Sequence, residues 1–189
     1  HALPWTWEPG PEVRALGPIC TELHWRGRCG RSPARLMLRL LAGTPWLELV
    51  LSLDWQQHHE LLQLELPLAA PVPRWAADTS GGVIERPGEA CTPREKARWE
   101  VPAISWACAN DLAVLLDGPQ GLSVDRQRLS VSLLRAPTWP DPNADNGWQR
   151  IRLALAPATD GWRASGIPGL ARRFREPLWC RPARHCGTL

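Results

Sequence analysis

Leucines recur at every second position over two stretches of this chain: Leu47, Leu49, Leu51 and Leu53, then Leu62, Leu64, Leu66 and Leu68. A period of two sets each run on one face of an extended strand, whereas a helix would scatter it around the axis. The second run carries Gln63 and Glu65 on its other side, as expected of a strand with one face on a core and one in water. Further strand-like segments are Thr21–Arg28, the Leu36, Leu38, Leu40 run, Gly82–Arg86, Arg98–Ala107, Leu112–Asp117, Arg128–Arg135 and Gln149–Ala156. Turn clusters separate them, among them Asp78–Gly82, Asp117–Gly121 and Pro140–Gly147. The chain has 20 Pro and 15 Gly in 189 residues, nearly a fifth, against about 12% in ordinary chains. Many short strands between turns predict an all-β fold, an antiparallel β-sandwich with at most one short helix, at Gly169–Glu176. No linker divides the chain, so residues 1–189 are expected to form a single domain.

The charge balance is +3 with both signs interspersed, which argues against nucleic acid as a partner. No stretch reaches the roughly 18 apolar residues of a membrane helix, so no membrane association is expected. The six cysteines, Cys20, Cys29, Cys91, Cys108, Cys180 and Cys186, form no C-x-x-C pair. A chain this long does not need disulfide staples, so unpaired thiols in a reducing, cytoplasmic setting are the expectation, including the Cys180 and Cys186 that flank His185. Asn110, Asn143 and Asn146 all lack the hydroxyl residue of a glycosylation site. Met37 is the only Met and the chain opens at His1 with no leader pattern, so a fragment of a longer protein is expected.

Few residues propose chemistry by themselves. Asp141-Pro142-Asn143-Ala144-Asp145-Asn146-Gly147 has oxygen side chains at alternate positions, but an EF-hand wants Gly sixth and Glu twelfth. Gly147 is seventh and Arg152 twelfth, so a Pro-bounded loop capping its own turns is the simpler reading. His58 and His59 are sequence neighbours and cannot readily share one ion from a strand. No phosphate loop, nucleophile elbow or H-E-x-x-H is present. The 12 Trp could supply aromatic faces to a sugar, although most should lie in the core, with two or three exposed.

Several stretches taken in order resemble glycoside hydrolase family 38, the α-mannosidases, in its C-terminal β-sandwich region. They are Leu51–Leu62 with its Asp54-Trp55 step, Gly82-Val83-Ile84-Glu85-Arg86-Pro87, Trp99–Ala107 and above all Leu133-Leu134-Arg135-Ala136-Pro137-Thr138-Trp139-Pro140-Asp141-Pro142, continuing through Asp145-Asn146-Gly147. The chain departs from the pattern at Gln149, where a His is usual, and at Pro157-Ala158, where Pro-His is usual. The resemblance implies a sandwich of the galactose mutarotase kind within a retaining α-mannosidase. The aspartate nucleophile and the zinc of such an enzyme belong to an N-terminal barrel domain, so this fragment is expected to hold no catalytic residue and no metal, and to be inert alone. Its implied partners are that barrel and a mannose-containing carbohydrate, and further copies of the chain stay open. By the same resemblance Arg135 lies near the bound sugar, with Asp141 and Asp145 in the loop that orders it. Two rival readings are a stand-alone carbohydrate-binding module that uses exposed Trp and a domain that only buttresses the barrel.

Overall fold

The computed structural model of the chain describes residues 4–176. In order these form β1 (Trp5–Trp7), β2 (Glu12–Leu16), β3 (Cys20–Cys29), β4 (Ser32–Leu41), β5 (Leu47–Trp55), β6 (Leu62–Pro67), β7 (Arg74–Thr79) and β8 (Gly82–Pro87). There follow α1 (Pro93–Lys96), β9 (Val101–Ala103), β10 (Trp106–Ala109), β11 (Leu112–Leu116), β12 (Gln120–Asp125), β13 (Arg128–Leu134), β14 (Gly147–Pro157), α2 (Gly161–Ala164) and α3 (Ile167–Arg175). Ten strands make one sheet in the order β1-β3-β4-β5-β14-β11-β10-β7-β8, with β2 also on β3, and β6-β13-β12-β9 make a second. Each strand pair is antiparallel, which gives the all-β sandwich that the leucine period requires.

The core lies where the two sheets face each other. Trp75, Ala77, Ala107, Val114 and Leu153 of the large sheet meet Leu122, Leu129 and Val131 of the small one. Toward the other end Leu51, Leu53 and Trp55 close on Leu62, Leu134 and Ala136. The alternate residues of the large sheet form a second apolar layer on its outer face. Ala113, Leu115, Ala154 and Ala156 pack there beneath Ile167, Ala171 and Phe174 of α3. That double coverage explains why Leu112–Leu116 is apolar throughout while the half-covered β6 alternates.

Three helical segments stand where at most one was predicted. The expected helix is there but starts earlier, at Ile167, with Pro168 in its first turn. The single-turn α1 owes its existence to a capping box, in which the Thr92 hydroxyl accepts from the Glu95 N–H and the Glu95 carboxylate accepts from the Thr92 N–H. The four-residue α2 begins at Gly161. The predicted strand Arg98–Ala107 is corrected too, because it splits into β9 in the small sheet and β10 in the large one. The break is held by Asp78 at the end of β7. Its Oδ1 accepts from the backbone N–H groups of Ile104 (3.0 Å), Ser105 (2.9 Å) and Trp106 (3.1 Å), and its Oδ2 accepts from the Ser105 hydroxyl.

The strands β2, β3 and β4 carry the inner face of the large sheet outward. Val13, Leu23, Leu38 and Leu49 are register partners on that face, with Leu40 beside Leu47. Val13 and Leu40 are 62% and 57% exposed, so this apolar strip runs past the cover that the small sheet supplies. On the opposite face a row of charges crosses the strands. Arg39 donates to Glu22 at 2.7 Å, and Arg152 donates to Glu48 at 2.6 Å while its guanidinium lies 3.9 Å over the Phe174 ring.

Among the described residues Cys20, Cys29, Cys91 and Cys108 are free, while Cys180, His185 and Cys186 lie outside them. Burial pushes the Cys108 thiol up to about 11, and Cys91 is exposed. The thiolate is the reactive form. A disulfide reagent at pH 8 should therefore label Cys91 at once and Cys108 only after unfolding, as peptide mapping by mass spectrometry would reveal. Equal labelling of both in the folded chain would contradict this packing.

Candidate functional site: the Arg135 cleft

β13 ends at Leu134, and the chain then turns sharply through Arg135 and Ala136 into the loop that precedes β14. Ala136 is fully buried and adopts the left-handed conformation, with φ of 46°. Only a few per cent of non-glycine residues do so, and its backbone is held on both sides. The Asp145 Oδ2 accepts from the N–H of Arg135 and from that of Ala136, both at 2.9 Å. The Ala136 carbonyl accepts from the N–H of His59 at 2.9 Å. Gln149, which stands where the family pattern has His, donates its side-chain amide to the Asp145 carbonyl at 3.0 Å and so closes the loop from behind.

Arg135 is thus fixed at its main chain, and its exposed side chain borders an open cleft of about 950 Å³. His59, Thr138, Glu100, Trp99 and Trp139 line the cleft with it. Trp99 and Trp139 are 87% and 83% exposed, which is unusual for the largest apolar side chain. His59 Nε2 and the Thr138 hydroxyl are 3.2 Å apart, and the Glu100 carboxylate accepts from the Gln63 amide at 2.9 Å and from the Ser132 hydroxyl. The cleft therefore offers a guanidinium, hydroxyl and carboxylate groups and two aromatic faces, the groups that bind vicinal hydroxyls and the C–H face of a pyranose.

Of the three residues expected near substrate, the structure brings Arg135 and Asp145 together, through the main chain. Asp145 meets Arg135 through the main-chain N–H and not through the guanidinium. Asp141 turns back on its own loop, where its Oδ1 accepts from the Asn143 N–H at 2.9 Å. Neither aspartate lines the cleft: Asp145 holds the Arg135 main chain, and of the three only Arg135 borders the cleft. The two carboxylates cap turns, as the loop reading expects. His58 and His59 lie in the β5–β6 connection, with His58 3.4 Å from the Asn146 amide and only His59 at the cleft. Among the described residues no group of three His, Cys, Asp or Glu side chains could hold a metal ion. The zinc implied by the resemblance therefore finds no fitting ligand set among these residues. Trp99 and Glu100 escape sequence reasoning because they read as the start of a strand. Their one signal is the preceding Thr92-Pro93-Arg94-Glu95 capping box, which opens the single-turn α1 that stops at Lys96, just before them.

Asp145→Ala should cost about 1–2 kcal/mol, since it removes the acceptor of two main-chain donors. Asp145→Asn retains a carbonyl oxygen and should lose less than half of that, which the urea midpoints of the two variants would establish.

Fold and cleft together define a β-sandwich with an open polar surface flanked by two exposed Trp side chains. Comparison with known proteins makes this specific. The pattern that defines the C-terminal domain of glycosyl hydrolases family 38 matches residues 7–143, and the chain belongs to that family. It is 32% identical over 145 residues to alpha-mannosidase 2C1 of Mus musculus, a match covering 75% of this chain and 14% of that protein. It is 28% identical over 125 residues to an alpha-mannosidase of Saccharomyces cerevisiae, covering 64% of this chain and 11% of that one. The crystal structure of an alpha-mannosidase from Enterococcus faecalis V583 superposes with a TM-score of 0.71 at 11% identity, over 91% of this chain and 24% of that chain. The chain thus spans about a seventh of the length of the mouse protein it matches. Among the described residues no helix is long and apolar enough to cross a membrane.

Proposed function

We propose that this chain is the sandwich portion of a retaining α-mannosidase and completes the rim of an active site whose nucleophile and metal lie on another part of the same polypeptide. The observation that carries the reading is Arg135, an exposed guanidinium on a main chain pinned by Asp145 and paired with no carboxylate among the described residues. A rigid backbone with a free planar cation is a prepared contact for sugar hydroxyls. Hydrolysis of an acetal needs a nucleophile and a proton donor about 5–10 Å apart across the bond, so the role assigned to this chain is to orient substrate. The exposed strip with Val13 and Leu40 is the face that we assign to the rest of the enzyme, whose relatives are much longer than this chain. The free thiols among the described residues support a reducing, cytoplasmic setting. The test is kinetic: kcat/KM of the full-length protein for mannosides after Arg135→Ala, set against its thermal stability.

A second reading, a carbohydrate-binding module, draws on Trp99 and Trp139. It separates from the first by where the effect falls. A module loses binding of mannosides to the chain itself when Trp139 becomes Ala, with unchanged turnover of small substrates by the full-length protein.

A further inference from the structure

Among the described residues, three of the five non-glycine residues with a left-handed backbone are joined by hydrogen bonds at the Arg135 cleft. They are His59, Ala136 and Asp145, with φ of 56°, 46° and 63°. The His59 N–H donates to the Ala136 carbonyl, and the Ala136 N–H donates to the Asp145 carboxylate, both at 2.9 Å. In this conformation the Cβ of an L-residue crowds the following carbonyl oxygen, which glycine avoids. Ala136 is held there by the core, and Asp145 by the turn that its carboxylate caps. His59 has neither excuse, because it is exposed and its ring gains little from burial. Strain of this kind gathers at functional sites, and the ring lies along the cleft.

What the ring touches is Thr138, whose hydroxyl stands 3.2 Å from the His59 Nε2 and which lines the same cleft. Thr138 and Arg135 belong to one short segment, Arg135-Ala136-Pro137-Thr138. Asp145 holds the first two N–H groups of that segment and Pro137 fixes a φ within it, so the two side chains leave a stiff backbone. A hydroxyl has one donor and two acceptor directions. The imidazole occupies one of them in either tautomer and ends the free rotation of the group, and in both cases the Thr138 oxygen keeps a lone pair. Arginine, by contrast, only donates. A sugar hydroxyl that accepts from Arg135 still carries a proton of its own, and Thr138 supplies a fixed acceptor on the same segment.

We propose that Thr138 is a substrate-binding residue whose hydroxyl oxygen accepts from a hydroxyl of the same sugar that Arg135 contacts, and that His59 is the positioning residue that aims it. These roles rest on the reading of the Arg135 cleft as an active-site rim. A donor and an acceptor set by one stiff segment fix the orientation of a sugar as well as its presence. Such a pair also discriminates against a sugar that lacks the matching hydroxyl, because the acceptor is then left without its donor.

The test is a cycle between side chain and substrate. The kcat/KM of the full-length protein is measured for an aryl α-mannoside and for its analogues that each lack one of the free sugar hydroxyls. Thr138→Val keeps the shape of the side chain and is expected to lower kcat/KM roughly tenfold for the parent mannoside. For one of the analogues its effect should stay within about twofold, since a hydrogen bond already removed from the sugar cannot be removed again. Thr138→Ser keeps the oxygen and should restore most of the loss. His59→Asn keeps the N–H and a residue type at home in the left-handed region, and takes the ring away. It should lower kcat/KM for the parent by roughly threefold and spare the same analogue. A merely structural role would lower every substrate alike. That uniform loss in Thr138→Val, or no loss at all, overturns the inference when Arg135→Ala still impairs the parent reaction. Selective loss in Thr138→Val with full activity in His59→Asn overturns the part given to His59. If Arg135→Ala is itself without effect, the rim reading falls and both roles fall with it. Should Thr138→Val not fold, His59→Asn decides by the same criterion.

Discussion

Arg135→Ala in the full-length protein is expected to lower kcat/KM for mannosides by roughly 10–100-fold, the worth of about 1.5–3 kcal/mol for a hydrogen bond from a charged donor. Stability should move by no more than about 0.5 kcal/mol, because the side chain is exposed and no carboxylate among the described residues pairs with it. The separation is clean because the residue is anchored by its main chain, and alanine keeps both N–H bonds to Asp145. Arg135→Lys retains the charge and loses the fork, so it should recover only part of the activity. Asp145→Ala acts on the same contact from a distance: it frees the turn, and its loss of kcat/KM should be partly rescued by Asp145→Asn while Arg135→Ala is not. Full activity in Arg135→Ala, or loss of fold with normal activity in the folded fraction, would make Arg135 a structural residue and remove the basis for the rim assignment.

How far this site could be read from the chain depends on which physics set each residue. β5 and β6 announce themselves because one face is buried and the other wet, so the leucines must alternate. β7, by contrast, reads Trp75-Ala76-Ala77-Asp78 and looks like nothing, since Ala76 and Ala77 are small to fit beneath a helix on one side and a sheet on the other. Arg135 was visible through the family pattern, but its lack of an acidic partner was not. Asp145 and Asp141 sit close in sequence, and only the turn geometry decides that one carboxylate serves the backbone of Arg135 and the other its own loop. Trp99 is exposed although its type predicts burial, because the break between α1 and β9 throws it outward. The split of Arg98–Ala107 was invisible for a related reason. Its cause, Asp78, lies 26 residues upstream of Ile104, and no local period records an acceptor that arrives from another strand.

That acceptor carries a large share of the stability of the crossover. Between Ala103 and Trp106 the backbone leaves one sheet for the other, and at that step neither ladder can pair the N–H groups of Ile104, Ser105 and Trp106. Asp78 takes all three and the Ser105 hydroxyl as well, while the Ser105 carbonyl accepts from Leu116 at 2.8 Å and ties the crossover to β11. Asp78→Ala would leave three donors half-buried without partners. At about 1–3 kcal/mol for each fully buried group, discounted for partial exposure, the cost should be about 2–4 kcal/mol. For a chain of this length that lowers Tm by roughly 5–15 °C. Asp78→Asn keeps one acceptor oxygen but turns an amide donor toward the Ser105 N–H, so it should fall between the two. Ser105→Ala removes only the hydroxyl and should cost less than about 1.5 kcal/mol. If Asp78→Ala melts within 2 °C of the parent, an amount below about 1 kcal/mol, the crossover is held by packing of Ala103 and Trp106 and not by the carboxylate.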